Sequence, residues 1–134
     1  MAKARATVFA AELREEADPA DQPTATGDCH DFGNSPYPGP SGGCSASFLM
    51  CLACPNARIH PAHHSRLAHL HRALDNLRTA LEPGQWHGQW EDAHARLEYL
   101  KGQLGAAVWT RALANVTVAD RELIALLLNG DLDP

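Results

Sequence analysis

Four cysteines stand within 26 residues of this 134-residue chain, and the rest of the chain has none. They are Cys29, Cys44, Cys51 and Cys54, spaced C-x14-C-x6-C-x2-C. The region that carries them, residues 27–61, also holds five of the nine prolines. Between the first two cysteines runs Asn34-Ser-Pro-Tyr-Pro-Gly-Pro-Ser-Gly-Gly43, turn chemistry with neither helical nor strand periodicity. Such a loop has too little apolar side chain to offset the entropy of ordering it. Its ends need pinning, and the cysteines sit at those ends.

A Cys-x-x-Cys pair brings two thiolates onto one ion within a single turn, and two more from another segment complete a tetrahedron. The spacing therefore predicts a structural Zn²⁺ on Cys29, Cys44, Cys51 and Cys54. Gly42-Gly43 permits a close approach before Cys44, and Pro55 ends the turn after Cys54. Three other readings of these residues stand beside this one. His30 or His60 could replace one thiolate, four thiolates could hold a four-iron cluster, or the thiols could be inert or paired in disulfides. A thioredoxin-like role for Cys51-Leu-Ala-Cys54 lacks the alternating strand and helix pattern it needs.

Composition narrows the partners. Lys plus Arg is 11 against 16 for Asp plus Glu, a formal charge of −5, so nucleic acid would have to be met by a local patch. No apolar run reaches the roughly 18–20 residues that cross a bilayer. Val8-Phe9-Ala10-Ala11 is too short for a signal-peptide core, and Glu12, Arg14 and Glu15 follow it. The expected compartment is the cytoplasm, where reducing conditions disfavour disulfides.

From Pro61 onward the pattern turns helical. Leu67, Leu70, Leu74, Leu77 and Leu81 alternate spacings of three and four, an apolar seam about two heptads long. Glu82-Pro83-Gly84 stops that helix. A second is predicted from about Gln85 to Leu104, with Trp86, Trp90, Ala93, Leu97, Leu100 and Leu104 as its stripe. After Gly105 comes a shorter helix holding Val108, Trp109 and Leu113. Thr117 with Asp120 reads as a capping box before a last helix carrying Leu123, Ile124, Leu127 and Leu128. Asn129-Gly130 ends it. At the other end, residues 4–17 predict a short helix with Val8, Phe9 and Leu13 as a thin stripe, and residues 18–26 read as a linker.

The expected fold is thus mostly α. Residues 1–26 are a short helix and linker. Residues 27–134 are one metal-stapled domain, with the Cys-rich loop region (27–61) packed on a small antiparallel bundle (62–134) of three or four helices.

Seven of the eight histidines lie between 60 and 94. His60 and His64 share a helical spacing, yet no Glu makes a zincin motif of them, and a solvated His-rich face is the plain reading. Arg58, Arg66, Arg72 and Arg78 could line a modest phosphate-facing strip, although a six-residue spacing drifts around a helix. The tryptophans read as core rather than as a platform for bases. There is no Ser–His–Asp logic and no phosphate-cradling Gly-rich loop, so neither an enzyme nor a small-molecule substrate is expected.

The run Cys44-Ser-Ala-Ser-Phe-Leu-Met-Cys-Leu-Ala-Cys-Pro-Asn-Ala57, with Cys29 before it and His60-Pro61-x-His63 after it, resembles the C-terminal region of large tyrosine recombinases (phage-type integrases) of actinobacteria. Trp90–Leu97 and Asp120–Gly130 look similar to the same tail, so the likeness spans roughly residues 27–132. The family cuts and rejoins DNA with an Arg, Lys, His and Tyr site. None of that is carried over, because this chain has no counterpart of the catalytic domain and neither tyrosine sits in the family's context. The resemblance implies a zinc-stabilised accessory module that docks on a recombinase or integrase subunit, or on its catalytic domain, with possible DNA contact. A metal-sensing or iron–sulfur regulator is the alternative. WhiB-type regulators also carry four cysteines, but there the Cys-x-x-Cys pair precedes the last cysteine, and here it comes last. A further alternative is an interaction module that pairs its leucine seam between chains.

Overall fold

The leucine seam forms the helix expected of it. In this computed structural model, which describes residues 9–24, 26–30, 52–54 and 56–129, helix α1 runs His64–Ala80. Leu67, Leu70 and Leu74 are buried on one face and Leu77 is half-buried. Each fully buried leucine contributes about 1.5–3 kcal/mol. Helix α1 is the centre of the bundle. It packs against α3 (Glu91–Leu104), α4 (Ala106–Ala114) and α5 (Val118–Leu128). The seam is therefore consumed within the chain. Ile124 and Leu127 of α5, Trp109 of α4, and Leu97 and Leu100 of α3 complete the core.

The helix expected over 85–104 is two. Helix α2 spans Pro83–Gln89 with Pro83 at its first turn, and a turn at Trp90 separates it from α3. Gly84 and Gly88 weaken α2, since each forgoes about 1 kcal/mol of helix propensity. The break lets Trp86 bury itself beside α3. Gly105 has φ +89°, a conformation that favours glycine, and it turns the chain from α3 into α4. The capping box before α5 forms as its residues suggest. The Asp120 N–H donates to the Thr117 hydroxyl at 3.0 Å, and the Thr117 N–H donates to the Asp120 carboxylate at 3.1 Å. Asn129 closes α5, while Gly130 lies outside the described residues.

The N-terminal half departs from expectation. Of the helix expected over 4–17, residues 9–17 are not helical, and residues 4–8 lie outside the described residues. Strand β1 (Glu12–Leu13) instead pairs in parallel with β4 (Ala57–Ile59). The Ala10 and Ala11 N–H groups donate to the Leu52 carbonyl, and the Arg14 N–H donates to Ile59 at 2.7 Å. A stripe of three apolar residues cannot compete with that ladder. The expected linker is also built. Strand β2 (Gln22–Pro23) pairs antiparallel with β3 (Asp28–Cys29), and Asp21 and Thr26 are buried. The four short strands form one sheet in the order β1-β4-β3-β2. Arg58 in β4 ties it together, its guanidinium lying 3.3–3.4 Å from carboxylates of Glu12, Asp18 and Asp21. A Cβ on Gly27 would meet Ile59 Cδ1 at 2.7 Å and the Arg58 carbonyl oxygen at 3.1 Å, so any side chain there would force the buried Ile59 to shift. No described helix is long and apolar enough to cross a membrane.

Candidate metal centres

Cys29 and Cys54 are buried, and neither is in a disulfide. Cys29 pairs with Ala57 across the β3–β4 ladder, and the Ala57 N–H turns back to the Cys54 carbonyl at 3.1 Å. The His30 N–H donates to the Asn56 carbonyl at 2.7 Å. The backbone thus brings the first cysteine alongside the turn that follows the last. Cys44 and Cys51 lie outside the described residues, as does Tyr37. Among the described residues, neither Cys29 nor Cys54 joins a group of three or more ligand atoms. Of the two histidines considered as substitutes for a thiolate, His30 is exposed with Nδ1 3.3 Å from Asp21, and His60 is engaged elsewhere.

That engagement is a group of three, Asp28, His60 and His63. His60 caps the 3-10 turn Pro61–His63 that leads into α1. Its Nδ1 accepts from the Ala62 N–H at 3.4 Å, and its Nε2 donates to Asp28 Oδ2 at 3.1 Å. His63 Nδ1 accepts from the His60 backbone N–H at 3.1 Å, and its Nε2 lies 3.4 Å from Asp28 Oδ1. Both Nδ1 lone pairs are therefore occupied by backbone donors. In the neutral tautomer each ring proton sits on Nε2, facing Asp28. A cation at Asp28 would have to displace both protons and both caps. The trio reads as a hydrogen-bonded clasp that fastens the sheet to the first turn of α1. Burial pushes the His63 pKa down to about 4, helped by the neighbouring His60 and Arg66, although Asp28 pulls the other way.

A second group joins the helices α1 and α3: His71, Asp75, His94 and Glu98. Each helix supplies a histidine and, four residues on, a carboxylate. The helices run antiparallel here, so each histidine faces the other helix's acid. His71 Nε2 lies 2.6 Å from Glu98 Oε1, and His94 Nε2 lies 2.6 Å from Asp75 Oδ1. Within each helix the separations are longer, 3.6 Å for His71 Nδ1 to Asp75 and 3.9 Å for His94 Nε2 to Glu98. The two imidazoles are buried and stacked, with centroids 4.9 Å apart and planes at 20°. Trp109 stands edge-on to His71, and Trp86 edge-on to His94. Both tryptophans are buried, as the core reading requires. The two carboxylates open to solvent, with side chains 48% and 51% exposed.

These histidines do not lie on a solvated face, and the sequence reading missed them. The available signal was two His-x-x-x-acid pairs, His71 with Asp75 and His94 with Glu98, on successive amphipathic helices. Of the four arginines read as a phosphate-facing strip, Arg72 is exposed and the other three are engaged within the chain. Arg58 is taken by three carboxylates, Arg66 pairs with Asp120 at 3.2 Å, and Arg78 lies over the Trp86 ring. Comparison with family models, with curated proteins and with solved structures finds no match for this chain.

Proposed function

We propose that this protein is a non-catalytic module whose Cys-rich half is held by a structural Zn²⁺ on Cys29, Cys44, Cys51 and Cys54. The observation that carries the reading is the β3–β4 ladder, which sets Cys29 beside the turn leading from Cys54, with both cysteines buried and outside any disulfide. The four strands are only two or three residues long, too short to be stable by pairing alone. A metal would supply the missing folding free energy. The test is zinc content of the reduced full chain, with hydrogen exchange on Cys51→Ser. One zinc bound through thiolates, and loss of protection at residues 26–30 and 52–59 in the variant, is expected. Full protection in a zinc-free Cys51→Ser chain would remove the reading, and iron with sulfide would replace it by a cluster.

The module's role is accessory to a site-specific recombinase, a reading supported by the likeness of Cys44–Ala57 and His60-Pro61-x-His63 to recombinase tails. The engagement of Arg58, Arg66 and Arg78 within the chain and the charge of −5 favour docking on the recombinase protein over direct DNA contact. Sedimentation with a tyrosine recombinase of this family should reveal a complex that needs no DNA. Salt-sensitive DNA binding by the chain alone, without such a complex, would refute it.

A further inference from the structure

We propose that His71, Asp75, His94 and Glu98 form a binding site for one divalent first-row transition cation, Zn²⁺ above all. It goes beyond the cysteine reading and does not depend on it. Two imidazoles with two carboxylates are a donor set of intermediate softness, which suits Zn²⁺ or Co²⁺. Ca²⁺ and Mg²⁺ want six or more oxygens and would leave the imidazoles unused. The two carboxylates balance the ion's charge, so the closed site is neutral.

The geometry is close to what such an ion needs. A tetrahedral site with bonds of about 2.05 Å has donor–donor edges of roughly 3.3 Å. With both imidazoles ligating through Nε2, three of the six edges measure 2.6, 2.6 and 3.9 Å, and one ligand atom from each of the four residues lies within 4.8 Å of the others. Small rotamer changes in the two exposed acids would equalise them. Without a cation each imidazole can donate its Nε2–H to the carboxylate of the other helix at 2.6 Å. A cation satisfies both acids and leaves the rings neutral. Trp86 and Trp109 wall the inner side, and the exposed acids provide the entry path. Because Trp86 is a buried side chain of α2, an ion on His94 would steady α2 as well as join α1 to α3.

The test uses the reduced full chain titrated with Co²⁺ and then Zn²⁺, compared with the double variant Asp75→Asn and Glu98→Gln. Both changes fall on half-exposed side chains, so helical content should be unchanged, which circular dichroism checks. Two signals separate the sites. Thiolate-to-cobalt charge transfer reports the cysteines, and quenching of tryptophan fluorescence reports an ion beside Trp86 and Trp109. We expect quenching in the parent chain that needs at least about 100-fold more metal in the variant. Charge transfer should be equal in both. Quenching that is absent from the parent, or identical in the variant, overturns the proposal, whatever the charge-transfer band does. Quenching lost in the variant with no charge transfer in either chain sustains this site and overturns the cysteine one.

Discussion

His63 shows how the burial of one side chain sets a pH dependence for the whole chain. In the folded chain burial holds its pKa down at about 4, while the unfolded chain takes up that proton near pH 6.5. As pH falls the unfolded state binds the proton first, so stability declines through the window from about 6.5 to 4. The loss approaches roughly 3 kcal/mol at the acid end. His63→Gln retains an acceptor for the His60 N–H and removes the titration. Urea midpoints across that window should show a shallower slope for the variant, by up to one proton. Equal slopes would mean that His63 does not titrate as its burial requires. Gly105 gives a second residue-scale prediction. Alanine there meets no atom within 4 Å, so its cost comes from the backbone conformation alone, φ +89° with ψ 157°, about 1–3 kcal/mol in thermal unfolding.

At the scale of elements, the cap of α5 is the sharpest case. Burial raises the Asp120 pKa, but the Thr117 N–H and hydroxyl and the Arg66 guanidinium outweigh it, and the carboxyl titrates below its ordinary value. Its contribution is therefore present above about pH 4 and fades as acid protonates it. Asp120→Ala removes the acceptor for the Thr117 N–H and the partner of Arg66 together. The expected loss is about 1–3 kcal/mol, against less for Asp120→Asn, measured by denaturant unfolding at neutral pH. That box could be read in the sequence because both its residues are three apart, and the seam of α1 because its period is local. The strands could not be read so. Each is two or three residues long, too short for an alternation, and each takes its meaning from a partner far along the chain. The break at Trp90 was hidden because the apolar stripe continues across it. The cysteines announced themselves by spacing. The His71–Glu98 and His94–Asp75 contacts depend on the register of two antiparallel helices, which neither helix encodes alone.

At the scale of the molecule, the chain divides into a part made by near neighbours and a part made by distant ones. Helices α1 to α5 follow one another with short connections, so their contacts close small loops. Topologies of that kind fold quickly, and sheets assembled from remote strands fold slowly. Pulsed hydrogen exchange during refolding should protect amides of α1, α3 and α5 before those of Arg14, His30 and Ala57. Simultaneous protection would mean that the two halves form as one cooperative unit. The parallel pairing of β1 with β4 then has a consequence for synthesis. The β2–β3 hairpin can form as soon as it emerges, but the Arg14 amide has to wait for the Ile59 carbonyl. At about 5–20 residues per second that interval is roughly 2–9 s. During it the nascent N-terminal segment presents an unpaired edge, open to whatever binding protein meets it at the ribosome.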